Sequence, residues 1–331
     1  MRSSESPHRT GFSASWRAAG LSYFAQGYYF RQQFGEKVWK LSVDGGFGCP
    51  NRDGTLGTGG CVFCDPASFS PSRRQKRRTV REQVDEAAAR LGARRGARRF
   101  VAYFQPGTNT YAPVERLATL YNEALSHPQV VGLVVGTRPD CAADDVLGLL
   151  EELARRTWVG VEYGLQSIHE RSLRWMNRGH DYAAFLDAYQ RSRARGFGIG
   201  AHVILGLPGE SREDMIATAA ELARLGVDSV KLHNLHAVRD TPLARMVARG
   251  EVRLSELHEH VAAVVDFLEQ LPPTCVVGRL SGDAPPPYLV GPEWCLDKGA
   301  VRRRVEAELA RRDTHQGSRC PRTNPFPCRT V

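Results

Sequence analysis

The sequence predicts an α/β chain folded as a partial (β/α)6, TIM-like barrel with a C-terminal α/β extension. Three observations carry this reading. Strand-like and helix-like patterns alternate six times from residue 37; the stretches with chemical character each follow a strand; and 42% hydrophobic with 24% charged residues over 331 positions is the balance of a globular chain with a large core. Such alternation builds a parallel sheet with right-handed crossovers, and six units fall short of the eight that close a barrel.

The strands are apolar, β-branched runs: 37–44 (KVWKLSVD), 100–105, 130–137, 159–166, 199–208 and 229–238. Between most of them, residues recur at helical spacing: Val80, Val84, Ala88 and Leu91; Val146, Leu149, Leu150 and Leu153; Tyr182, Phe185, Leu186 and Tyr189; Met215, Ala219, Leu222 and Leu225. Asp181 and Ser211 stand at N-cap positions, and Gly196 and Gly226 where helices should stop. Alternation puts His202 and Ile204 on one face of the fifth strand, and Val203 and Leu205 on the other.

After residue 250 the alternation breaks. A long amphipathic helix over 255–271 precedes CVVGRL, a Pro-rich turn and a basic helix over 299–312. The expected organisation is a flexible N-terminal segment over 1–22, the barrel over 23–250, an extension over 251–316 packed on it, and a tail over 317–331, with residues 1–20 and the tail disordered.

The net charge is +9, with arginine runs at 73–78 (RRQKRR), 94–99 (RRGARR) and 302–304. Such runs suit a phosphate backbone and equally a solvated surface. The apolar runs are too short to span a membrane, and the polar start has no signal-peptide core, so a cytoplasmic location is expected.

Residues 49–64, CPNRDGTLGTGGCVFC, hold three cysteines just after the first strand. Cys61 and Cys64 have the spacing that lets two thiolates reach one centre, and Cys49 returns across a Gly-rich loop. A cluster held by three thiolates keeps one iron open, as catalytic metal sites keep a position open. The spacing also admits zinc with a fourth ligand from elsewhere, or plain buried thiols. Cys141, Cys275, Cys295, Cys320 and Cys328 have no paired metal spacing and read as buried or spare thiols, with a second cluster as the alternative.

The words FGEKVWKLSVDGGFGCPNRDGTLGTGGCVFC, YFQPGTNTYAP, GTRPD, GLQSIHERSLRWMNRGHD, HVILGLPGE, TPLARM, RLSGDAP and RRDTHQG run in order through roughly residues 23–317. Together they resemble the radical SAM superfamily, in its YhcC-like bacterial branch related to the Elongator catalytic subunit. The long first cysteine spacer departs from the commonest pattern of the superfamily and is expected within this branch.

The resemblance implies a [4Fe–4S] cluster on Cys49, Cys61 and Cys64, whose open iron is chelated by S-adenosylmethionine. Reductive cleavage of the sulfonium would then give a 5′-deoxyadenosyl radical that abstracts hydrogen from substrate. Phe63 would lie against the adenine. Gln105, Thr108 and Asn109 stand where the superfamily grips the methionine amino group, without its usual acidic residue. By similarity to oxygen-independent coproporphyrinogen oxidases, Gln166 and His202 would face the ribose and Arg178 the carboxylate, although that family has an aspartate in place of His202. Gly206, with Gly209, would let backbone approach the adenine. Glu162 shares a strand face with Gln166 and needs a partner, with Arg178 or Arg138 in reach. Lys231 and His233 share a face of the sixth strand and would meet substrate.

A reductant such as flavodoxin or ferredoxin is implied as partner. Kinship to Elongator and the arginine runs favour RNA as substrate, transfer RNA in particular; a small molecule or a peptide is the other choice. The competing class is a zinc-binding, RNA-interacting module with structural cysteines.

Overall fold

Strand alternation and the helical repeats between strands set the layers of the structure. The computed structural model describes residues 15–69 and 78–321. Nine strands are named in chain order: β1 (Val38–Val43), β2 (Arg99–Phe104), β3 (Val130–Thr137), β4 (Trp158–Gln166), β5 (Gly198–Leu205), β6 (Ser229–Asn234), β7 (Ala237–Val238), β8 (Val276–Arg279) and β9 (Leu289–Gly291). One parallel sheet runs β1-β2-β3-β4-β5-β6-β8, with β1 and β8 as its edges, so the barrel stays open. β7 and β9 pair antiparallel in a small separate sheet. Helices Val80–Arg95, Val114–Leu125, Asp144–Ala154, Tyr182–Ser192, Arg212–Leu225 and Leu257–Gln270 provide the six crossovers.

The predicted partial barrel is therefore present, with two corrections. The sheet gains a seventh strand from CVVGRL of the C-terminal extension, which continues it beside β6. The sixth strand ends at Asn234, four residues early, because β7 turns away to pair with β9. Capping follows the sequence at three of four positions. Asp181 and Ser211 accept from the backbone N–H of Ala184 and Asp214, and Gly226 closes its helix in the left-handed conformation at φ 72°. The fourth differs: the helix before Gly196 stops at Ser192, and Gly196 shapes the turn into β5.

Most of the apolar core lies between the sheet and its helices. The inner face is different. Its base is closed by aromatic side chains, with Trp158 of β4 donating from Nε1 to Tyr29 Oη at 3.1 Å and packing on Phe30. Tyr29 and Phe30 come from the helix Gln26–Phe34.

The N-terminal segment corrects a further expectation. Trp16, in the short helix Ser15–Ala18, is wholly buried and donates to Pro273 O at 3.0 Å. Burying one such large apolar side chain is worth roughly 1.5–3 kcal/mol. Phe24 O accepts from Val277 N at 2.8 Å and Ala25 bridges Val277, which covers the open edge of β8. At the other end, Gly317 N and Arg319 N bond to Leu268 O and Glu269 O. Packed structure thus begins by Ser15 and continues past residue 317; the rest of both ends lies outside the described residues.

Candidate functional site

Residues at even spacing on β4 climb the inner face. Trp158 sits in the aromatic base, Glu162 in a charged middle layer, and Gln166 at the rim. Above that layer a cavity of about 230 Å³ opens at the C-terminal ends of the strands. Cys49, Cys61, Cys64, Phe63, Gln166, Arg178 and His202 all line it.

The loop that brings the cysteines there is fixed by its own polar groups. Cys49 O accepts from Arg52 N at 2.9 Å, turning the chain. Asn51 Nδ2 donates to Asn177 O at 2.6 Å, and Asn177 Nδ2 returns to Gly60 O at 2.8 Å. Asn177 adopts φ 51°, a left-handed conformation that asparagine tolerates better than most residues. Val62 N bonds to Met176 O, and Leu243 N to Val62 O, so the Cys61–Cys64 turn is clamped between two helix ends.

The buried Cys61 sulfur receives Arg178 Nη1 at 3.5 Å and Asn51 Nδ2 at 3.8 Å. Arg52 donates to Cys64 O at 2.9 Å, and Arg138 reaches Arg178 O at 2.8 Å while gripping Asp140 with two nitrogens. Burial, then the neighbouring Cys61, pushes the Cys64 thiol up to about 12, a cost that a ligated metal removes by taking the place of the proton. Three thiols among three guanidinium groups match the donor chemistry of an iron–sulfur cluster, whose thiolates bring negative charge that nearby cations offset. Among the described residues, no group of three His, Cys, Asp or Glu side chains is drawn together around a single ion.

The middle layer is ionic. The Glu162 carboxylate meets Lys231 Nζ, His202 Nε2 at 2.9 Å and Lys40 Nζ at 3.8 Å. Lys231 Nζ also stands over the Tyr103 ring, 3.9 Å from its centroid. Burial alone would raise the Glu162 carboxyl, yet the two lysines and His202 hold it well below the usual carboxylate range. Burial lowers His202 to about 4, so its imidazole is neutral at pH 7. An ionised carboxylate only accepts, so His202 donates from Nε2 and keeps Nδ1 as an acceptor. The partners expected for Glu162 were Arg178 or Arg138. Neither serves, because Arg178 Nη2 donates to Gly164 O at 2.7 Å and Arg138 is spent on Asp140. Gly164 makes room for that arginine: a Cβ there would stand 2.5 Å from Arg178 Nη2.

The remaining predicted residues divide. Gln105 and Thr108 line the cavity. Asn109 does not; its side chain donates to Gly136 O at 2.7 Å and ties the loop after β2 to β3. Gly206 is also off the cavity, and its missing side chain accommodates Ser255 Oγ, which a Cβ would strike. Phe63 packs against the apolar cluster that includes Met176, Leu207 and Leu243 as well as lining the cavity. His233 lines it, whereas Lys231 is buried beneath. Tyr103, His236, Arg279 and Asp283 also line it and had no assigned role. Arg279 and Asp283 lie in the word RLSGDAP, whose placement is legible only once VVGR is read as a strand beside β6.

A half-barrel with its polar groups gathered at the strand C-termini defines an α/β enzyme. The sequence matches the Radical SAM superfamily over residues 46–233 and the Radical_SAM C-terminal domain over residues 227–311. The chain belongs to the radical SAM superfamily and is a radical SAM enzyme, a class that cleaves S-adenosylmethionine at an iron–sulfur cluster and requires a reductant. It is 38% identical over 295 residues to YtqA of Bacillus subtilis (strain 168), covering 89% of this chain and 92% of that one. With YhcC of Escherichia coli (strain K12) it shares 40% over 268 residues, 81% of this chain and 85% of the relative. Its fold matches Elp3 of Methanocaldococcus infernus with an N-terminal deletion (1-46), at a TM-score of 0.62 and 19% identity. That match covers 84% of this chain and 64% of the archaeal one, so the chain spans just under two thirds of its length. Among the described residues, no helix is long and apolar enough to cross a membrane.

Proposed function

We propose that Cys49, Cys61 and Cys64 hold a [4Fe–4S] cluster, and that the cavity beside them takes S-adenosylmethionine together with a substrate that loses hydrogen. The observation that carries this reading is the opening of all three thiols, Gln166, Arg178 and His202 onto one cavity. When bound, cluster and S-adenosylmethionine supply the one-electron and radical chemistry that side chains lack. The protein holds and orients them.

The Asn51–Asn177 pair fixes the loop, and Arg52, Arg138 and Arg178 offset thiolate charge. Arg178 Nε is buried without a partner among the described residues, and we assign it to the methionine carboxylate, which a guanidinium suits. His202 Nδ1 and the Gln166 amide are assigned to ribose hydroxyls, Phe63 to the adenine face, and Gln105 and Thr108 to the methionine end. Protein purified without oxygen should be brown, contain iron, and release 5′-deoxyadenosine and methionine under a strong reductant. Cys49→Ala, Cys61→Ala and Cys64→Ala should each abolish both iron retention and release. A colourless zinc protein overturns the reading in favour of a zinc-binding module.

RNA, including transfer RNA, is supported as substrate by one of the three arginine runs. Residues 302–304 lie on the helix Lys298–Arg311, whose first residue pairs with cavity-lining Asp283 at 2.7 Å. The run at 94–99 sits at the opposite end of the sheet, where Arg98 and Arg99 pair with Glu36. The run at 73–78 lies outside the described residues except for Arg78. Neutralising Arg302, Arg303 and Arg304 together should weaken RNA binding and flatten its salt dependence.

A further inference from the structure

We propose that Arg279, at the end of β8, binds an anionic group of the substrate, phosphoryl or carboxylate, inside the cavity. The inference rests on the reading above of the cavity as the place of S-adenosylmethionine cleavage, and adds the kind of molecule that shares it.

Arg279 lines the cavity and is the register partner of Lys231 across β6 and β8. Among the described residues its guanidinium makes neither a hydrogen bond nor an ion pair. The other guanidinium groups of the lining differ. Arg52 holds Cys64 O, Arg138 holds Asp140, and Arg178 holds Gly164 O.

The surroundings of Arg279 do not neutralise it. Glu162 is already taken by Lys231, Lys40 and His202, whose charged forms burial disfavours. Asp283, the other acid in the lining, is paired with Lys298. The imidazoles add no compensating charge and are themselves lowered by burial, with Arg279 among the further causes for His202, His233 and His236. A half-buried guanidinium on a cavity wall, with no carboxylate of the lining left to pair with it, is open to a counter-ion. A planar guanidinium fork with free donors is the group best shaped to receive an oxyanion through two parallel hydrogen bonds. A hydrogen-bonding group is also left over nearby: His233 Nε2 is buried with no partner among the described residues.

The test is calorimetric titration of cluster-loaded, full-length protein, kept anaerobic and saturated with S-adenosylmethionine so that the cysteine end is filled. Inorganic phosphate and acetate are titrated separately. At least one should bind with a single site, phosphate marking a phosphoryl-bearing substrate and acetate a carboxylate. Arg279→Gln should weaken that binding at least tenfold. Arg279→Lys, which keeps the charge without the fork and guards against a folding artefact, should weaken it less. Arg94→Gln, at the opposite end of the sheet, should bind as the unmodified protein does. The proposal is overturned if neither anion binds, if Arg279→Gln binds normally, or if Arg94→Gln loses as much. Unmodified protein that releases 5′-deoxyadenosine yet binds neither anion sinks this site alone. Anion binding that depends on Arg279, in a protein that never cleaves S-adenosylmethionine, sinks the reading beneath it and leaves the anion site standing.

Discussion

Glu162 is the counter-charge on which the middle of the inner face depends. Replacing it with glutamine leaves Lys231 buried and uncompensated, and losing one partner of a buried pair costs roughly 3–5 kcal/mol. Glu162→Gln should therefore lower the urea midpoint strongly, and adding Lys231→Met should restore part of the loss. Histidines govern the response to acid. Burial lowers His260 and His202 to about 4 from an ordinary 6.5, so the folded state keeps them neutral. Their contribution is complete above pH 6.5 and is lost as pH falls from 6.5 towards 4, at about 1.4 kcal/mol per pH unit for each proton taken up on unfolding. Glu162 enters only below its ordinary value of 4.5, because its folded pKa is depressed. Denaturation should thus show lower stability at pH 5 than at pH 7.5, and His260→Gln should reduce that slope by about one proton. At this scale the sequence exposed the cysteines, Gln166, Arg178 and His202 through motif words. The partners of Glu162 were hidden because they depend on register, which sets His202 beside Lys231 across two strands.

Among the elements, the cysteine loop and the turn after the helix Glu170–Trp175 act as one unit through Asn51 and Asn177. Asn177→Ala removes the bond to Gly60 and strains a left-handed residue, at a combined cost of roughly 2–4 kcal/mol. Asn177→Gly removes the same bond without the strain. Both variants should retain less iron after anaerobic purification, while thermal melting should fall further for alanine than for glycine. Equal melting points with full iron would show that the loop holds its shape without this pair. The strands β1–β6 were legible from their alternation and from the helices between them. β8 was not, since four residues including a glycine give no usable period, and its place in the sheet comes from pairing with β6. The helix Val114–Leu125 was also missed, although Leu117, Tyr121 and Ala124 bury one face of it.

Across the whole molecule, Gln316 fastens distant parts of the chain. It is wholly buried, accepts from Phe24 N at 2.9 Å, and donates to Pro272 O at 2.7 Å and Cys275 O at 2.8 Å. We propose on this basis that residues 23–316 unfold as one cooperative unit, since β8 completes the sheet and Gln316 ties its entry to the N-terminal segment. Gln316→Ala leaves several buried backbone groups unpaired and should cost about 3 kcal/mol within a single transition. Two separated transitions would contradict that unity. Gln316 lies in the word RRDTHQG, so the resemblance reached it, but partners 292 and 41 positions away in sequence gave no hint of its task. What the three thiols bind decides the chemistry of the molecule, and the metal content of the full chain purified without oxygen reads it. About four irons per chain with matching sulfide are expected, with loss of both from Cys61→Ala. Stoichiometric zinc without iron, or iron undiminished when Cys49, Cys61 and Cys64 are all replaced, would contradict a cluster on these thiols.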